Sequence, residues 1–316
     1  MSTPRHPAEH SPRAPEVTLF MLVTNKDCIL ADYSIHSYRK LWKIYDSFVL
    51  EVYANCLKAE KKSRYFPQWG KLPYVSIRDN EANGKLARKK GEKFLSPDGR
   101  QFQYEGSYEH CDEVWTREHQ LAKTPFWATV DADFELLAPQ FIVEMINMLR
   151  ADPTLAGISS DYGSTADVYD TFSEQMIRLN ERWHTWCCIY RRETGRYLRE
   201  VSSFFFSTIM PGGMPHSFDS YARFQQHLIH SGYRMAALPD RFQRQFIHYG
   251  GFSKNRSVTE KNVHLYRHLA IAAKRGIPLP LGVKLDWLVR RTSAHIFNRL
   301  FSGAIAERKV WDWEND

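Results

Sequence analysis

The sequence predicts an α/β protein with a mostly parallel central sheet flanked by helices. Three observations carry that expectation. Val17 to Val23, VTLFMLV, is a continuous apolar run of strand length, suited to burial on both faces. Runs of this kind alternate in the first half of the chain with stretches whose apolar residues recur at three and four. The runs end in polar residues, and in α/β sheets ligands bind beyond the carboxyl ends of the strands.

The elements follow in order. Residues 1–15, with four prolines and no apolar run, read as a solvated tail. After the first strand comes a polar turn, TNKDC, then a helix over Tyr33–Ile44 with Ile35, Tyr38, Leu41 and Trp42 on one side. Phe48–Tyr53 and Tyr74–Ile77 are the second and third strands; KAEKKSR between them reads as a loop or an exposed helix face. Residues 81–107 form a long polar connection with a turn at SPDGRQ. A helix over YEHCDEVWTREHQLAKT stops at Pro125, and Phe126–Val130 is the next strand. A helix started by Pro139 runs to just before Pro153. LAGISS, TWCCIY and RMAALP are further strands, and FDSYARFQQHLIHSGY is a helix stopped by Gly232. Ser257 and Glu260 form a capping box opening a helix to about Lys274, and a basic amphipathic helix follows GIPLPLG. Residues 16–138 and 139–256 are expected to form two halves of one domain, with 257–316 as C-terminal helices.

Composition narrows the function. With 43% hydrophobic and 14% aromatic residues, the 316-residue chain can bury a sizeable core. Five cysteines without CxxC spacing argue against a disulfide framework or a zinc site and fit a reducing, cytoplasmic setting. Neither a signal-peptide apolar region nor a run of the roughly 18 apolar residues of a membrane span is present in the sequence. The excess of 43 Lys and Arg over 36 Asp and Glu, +7 formally, favours anionic partners, although solubility alone also accounts for it. The C-terminal helix combines Lys284, Arg290, Arg291 and Arg299 with Trp287, Phe297 and Phe301; peripheral contact with an anionic membrane and docking on this chain or a second copy are both open.

The chemistry gathers at FWATVDADFELL. The strand closes on Asp131 and Asp133, which in extended chain face the same way. Hard carboxylate oxygens suit Mg²⁺ or Mn²⁺ shared with phosphate oxygens; helix capping is the plainer alternative. The unit WATVDADFELLAP resembles the strand–DxD–helix of GT-A fold glycosyltransferases, above all the inverting family 2 and its relatives. That resemblance implies a metal-dependent transfer of sugar from a nucleotide sugar, UDP-linked in most such enzymes, to a hydroxyl of a glycan, lipid-linked or small-molecule acceptor. It also implies site residues. GSYEHCDEVW matches the donor-side motif at Ser107 and His110, with Cys111 in place of glycine. FIHYGGFSKN offers His248 as a third metal ligand and Lys254 for the phosphates. Thr24, Asn55 and Asp79, after the first three strands, are nucleotide contacts, Asn55 standing where an acid is usual. Asp219 in PGGMPHSFDSYARF is the candidate base, with Asp161 and Asp167 as alternatives; helix capping explains Asp219 equally. Trp183, His184, Trp186 and Arg191 are candidate acceptor walls, or else residues packing an edge strand. Two other functions fit the sequence less well. A sugar-1-phosphate nucleotidyltransferase wants a glycine-rich loop after the first strand, and TNKDC has none. A nucleic-acid binder wants a continuous basic face, whereas Asp131, Asp133 and Glu135 cluster at the ligand edge.

Overall fold

The computed structural model describes residues 14–25, 27–55, 57–79, 93–95, 101–103, 122–161, 166–170, 175–179, 183–199, 206–209, 215–218, 221–249 and 263–275. The first half is β1 (Val17–Val23), α1 (Cys28–Ser37), α2 (Arg39–Trp42), β2 (Phe48–Ala54), α3 (Ala59–Trp69), β3 (Val75–Asp79), a ribbon of β4 (Lys93–Leu95) and β5 (Gln101–Gln103), and β6 (Phe126–Asp131). The second half comprises β7 (Phe134–Leu136), α4 (Gln140–Ala151), β8 (Leu155–Ser159), a hairpin of β9 (Ala166–Asp170) and β10 (Gln175–Leu179), and β11 (Cys187–Arg191). It continues with a 3₁₀ turn over Arg192–Arg199, the paired β12 (Phe206–Ile209) and β13 (Pro215–Phe218), α5 (Ala222–His230), β14 (Arg234–Ala237), β15 (Phe246–His248) and α6 (Val263–Lys274).

Seven strands form one sheet in the order β14-β8-β11-β6-β1-β2-β3. Every neighbouring pair is parallel except those of β11, which runs against both β6 and β8. The mostly parallel expectation therefore holds, with one reversed strand that TWCCIY gave no means of orienting. Side-chain alternation assigns the two faces. Val17, Leu19, Met21 and Val23 of β1, with Phe126, Ala128 and Val130 of β6, join the larger core with α1, α3 and α4. Phe20, Trp127, Cys188 and Tyr190 point into a second core with Phe224 and Leu228 of α5. Burial on both faces is why these strands read as unbroken apolar runs.

One local reading changes, and one left open between loop and helix resolves as helix. The first helix begins at Cys28 rather than Tyr33, because Asp27 and not Tyr33 opens it. The stretch KAEKKSR is a helical face, the start of α3, anchored by buried Tyr65 and Trp69. Gly232 does close α5, at φ +87°, a left-handed conformation natural to glycine.

Trp127 and Tyr190, opposite each other in register, stack with centroids 4.5 Å apart. The Tyr190 ring leaves no room across the strand at Gly157, where a Cβ would lie 2.6 Å from Tyr190 Cδ1 and 3.1 Å from the Ile189 carbonyl. Gly157→Ala is expected to destabilise the protein by about 1–3 kcal/mol through this overpacking, seen as a lower urea midpoint at unchanged m-value.

Candidate metal and donor site

The chain runs β1, β2, β3 outward on one side of β1 and then returns to place β6 on the other. The crevice beyond the carboxyl ends of β1 and β6 is thus the switch point where α/β sheets bind ligands. Register brings Leu22 opposite Asp131, and Val23, Ala54 and Asp79 into one row, so Thr24, Asn55, Asp79 and Asp131 share this edge.

Asp131 and Asp133 do not stay in one extended segment. Ala132 and Asp133 make a turn, and β7 pairs antiparallel with β15, setting His248 opposite Phe134. The Asp133 carbonyl accepts from the Tyr249 amide at 3.1 Å, carrying the ribbon past His248. His248 Nε2 lies 3.2 Å from Asp131 Oδ2 and 3.2 Å from Asp133 Oδ1. One ligand atom from each of the three residues fits within 4.8 Å of the others. The side chains of His248 and Asp133 are only 12% and 14% exposed, that of Asp131 27%. Burial alone would lower the His248 pKa, but the charges of Asp133 and Asp131 and their hydrogen bonds outweigh it and hold it up at about 9. Two hard oxygens and one imidazole suit Mn²⁺ or Mg²⁺.

Trp186 holds the imidazole from the side. Its ring stacks on His248 at 4.0 Å, His184 stacks on Trp186 at 3.8 Å, and the Trp186 carbonyl accepts from the Asp131 amide at 2.9 Å. The reversal of β11 is what puts these residues here, since its amino end meets the carboxyl end of β6.

The remaining expected residues divide. Thr24 is turned to Asp27, its hydroxyl donating at 2.5 Å, and Asn55 is buried. Asp79 pairs with Lys62 at 2.9 Å. Trp183 does not wall the crevice: it is buried in the second core, its backbone bridged by Gln225. Arg191 does not either. It pairs with Phe126 at the opposite end of the sheet, roughly 14 Å of strand from Cys187, and its guanidinium caps the carbonyls of Leu149, Asp152 and Leu155. Alternation past a tight turn misplaced Glu135 as well. Its carboxylate is buried away from the pair, against Arg267 and Tyr249. Asp161 lies just past the end of β8, its carbonyl accepting from the His184 amide at 3.2 Å. Ser107, His110, Asp219 and Lys254 lie outside the described residues, and Asp167 is placed by its backbone in β9.

Asp27 was missed. It opens α1 beside Thr24, and burial, opposed by the Thr24 hydrogen bonds and reinforced by the charges of Asp133 and Asp131, pushes its carboxyl up to about 6. Read as part of a polar turn, it carried one usable signal: an acid directly after the strand that must neighbour the DxD strand.

Fold and cluster together define an α/β protein with a two-carboxylate, one-imidazole group at its switch point that could hold a cation. No protein-family model matches the sequence, and no curated protein matches it. Among solved structures the chain is similar to the mannosyltransferase PcManGT from Pyrobaculum calidifontis in complex with GDP-Man and Mn²⁺, at 14% identity and a TM-score of 0.45 over 98% of this chain and 92% of that one. It is similar also to the bifunctional glycosyltransferase WbbM, at 12% identity and TM-score 0.44 over 87% of this chain and 46% of that one. A third is CMP:2-keto-3-deoxy-manno-octonic acid synthetase complexed with CTP, at 8% identity and TM-score 0.39 over 71% and 89%.

Proposed function

We propose that this chain is a metal-dependent GT-A glycosyltransferase that moves a sugar from a nucleotide sugar, UDP-linked by preference, to an acceptor hydroxyl with inversion. The observation that carries the reading is the convergence of Asp131, Asp133 and His248 at the carboxyl edge of the sheet, beside the ends of β1 and β2. A divalent cation held by these three would neutralise the diphosphate leaving group, where negative charge develops in the transition state.

The chain's own groups have separate work. Asp133 and His248 bind the cation directly, while Asp131, more exposed, also reaches toward the ribose. Thr24, Asn55 and Asp79 border the nucleoside, and Ser107, His110 and Lys254 are the further donor contacts that the motif resemblance implies. Asp219 takes the acceptor proton, and the exposed side of the His184–Trp186 stack is the surface against which an acceptor sugar rests. A nucleotidyltransferase is disfavoured by Asp27, whose carboxylate occupies the turn after β1 where a phosphate loop would bind an anion.

The test is a panel of nucleotide sugars scored for thermal stabilisation and Mn²⁺-dependent hydrolysis. Stabilisation by at least one donor, only with Mn²⁺ or Mg²⁺ present, supports the reading. The absence of any donor response sinks it, and pyrophosphate release from a nucleoside triphosphate and a sugar phosphate would favour the nucleotidyltransferase instead.

A further inference from the structure

The ribbon that carries two of the three cation ligands is slight. β7 and β15 have three residues each, and a two-stranded pairing of that length does not hold its register unaided. One side is held by α1 and an aromatic stack: Ser34 Oγ donates to the Phe134 carbonyl, Ser37 Oγ accepts from the Leu136 amide, and Phe134 stacks on Phe246. The other side is held by α6, which returns from later in the chain. Val263 of α6 packs with Leu30, Ile247 and Tyr249. At the centre of this contact Arg267 places Nε 2.7 Å from Glu135 Oε2 and Nη2 on Oε1, while the Tyr249 hydroxyl donates to Oε2 at 2.6 Å. The guanidinium also lies 3.9 Å from the centre of the Tyr33 ring, and the Tyr33 hydroxyl meets His264 Nδ1 at 2.5 Å.

A carboxylate 3% exposed, with a bidentate guanidinium and a phenol on its two oxygens, is an exacting arrangement. An apolar pair of the same volume would hold the helix as firmly, so what the ions add is direction. That direction ends at the cation site. Glu135 is two residues from Asp133, and Tyr249 follows His248 and donates its amide to the Asp133 carbonyl.

We infer that Arg267 is a positioning residue of the cation site: through the Arg267–Glu135–Tyr249 fork, docking of α6 sets the register of the β7–β15 ribbon and so the spacing of Asp133 and His248. The inference rests on the cation-site reading above. Linkage makes the coupling reciprocal, so cation binding tightens the docking of α6, and a partner that lifts α6 turns the site down.

The experiment measures Mn²⁺ affinity by titration calorimetry and amide exchange of residues 263–274 with and without Mn²⁺. The proteins are wild type, Arg267→Lys, and the neutral pair Glu135→Gln/Arg267→Gln, which strands no buried charge if the single variant misfolds. Lysine keeps the charge but cannot form the fork. Either folded variant, judged by circular dichroism, is expected to bind Mn²⁺ about 10- to 100-fold more weakly. In the wild type alone, Mn²⁺ slows exchange across α6. A folded variant with wild-type affinity, or a wild-type α6 indifferent to Mn²⁺, overturns the inference and leaves the cation site standing. A wild type that binds no Mn²⁺ overturns both.

Discussion

Asp133→Ala is expected to remove stoichiometric Mn²⁺ binding and to lower sugar transfer by about a thousandfold or more, with little change in thermal stability. The size follows from what the residue does. Metal stabilisation of a leaving group contributes several kcal/mol to the barrier, and each 1.4 kcal/mol is about tenfold in rate. Stability is spared because Asp131 still pairs with His248, and the attraction lost with the Asp133 charge is offset by relief of its repulsion of Asp131 and Asp27. His248→Ala is the informative companion. It leaves both carboxylates in place and should weaken Mn²⁺ binding while retaining measurable transfer at saturating ion. Calorimetry and initial rates over a Mn²⁺ series check both. An Asp133→Ala protein that binds and turns over like wild type would move the metal site elsewhere in the chain.

The second large effect is on pH. In the metal-free protein His248 keeps its proton up to about 9, and a cation can bind only the neutral imidazole. Apparent Mn²⁺ affinity should therefore climb about tenfold per pH unit from 6.5 to near 9 and then level off, with about one proton released per ion. Titrations in buffers of different ionisation enthalpy report that proton directly. Affinity that stays flat across pH 6.5–8.5 would contradict the protonated His248 described here.

The metal-free fold moves the other way. Its His248 pKa lies above the unfolded value of 6.5, so the stabilising charge pair is complete below 6.5 and is lost as pH rises through about 9. Asp27, raised from 3.8 to about 6, binds more protons folded than unfolded, so it also favours the fold at the acid end and loses that contribution between about pH 4 and 6.

How much of this was legible beforehand differs by element. Strands β1, β2, β3, β6 and β8 came out within a residue or two; for β1, β6 and β8 burial on both faces leaves a continuous apolar run that local chemistry alone displays, while β2 and the edge strand β3 show a shorter one. Asp131 and Asp133 stood out for the related reason that two like charges closing such a run have no packing role. His248 was suggested by the glycines and lysine after it, within a motif resemblance. By contrast, β7 and β15 were not read as strands, since three-residue strands have no period of their own.

The rest depends on contacts between distant parts of the chain. Trp183, Trp186 and Arg191 lie within nine residues and share a composition, yet one enters a core, one stacks on His248 and one caps carbonyls at the far end of the sheet. Strand direction separates them: β11 runs against its neighbours, and direction is settled by what the strand pairs with rather than by its residues. Asp27 and Glu135 tell the same story for charge. Each reads as one more polar residue until β6 comes alongside β1 and α6 closes over β7. The chain's local patterns suffice for its layers and for the two carboxylates at the end of β6. The imidazole that meets them, the rings stacked on it and the arginine that holds Glu135 are brought together by the packed fold, because they come from segments 51 to 136 residues beyond those carboxylates.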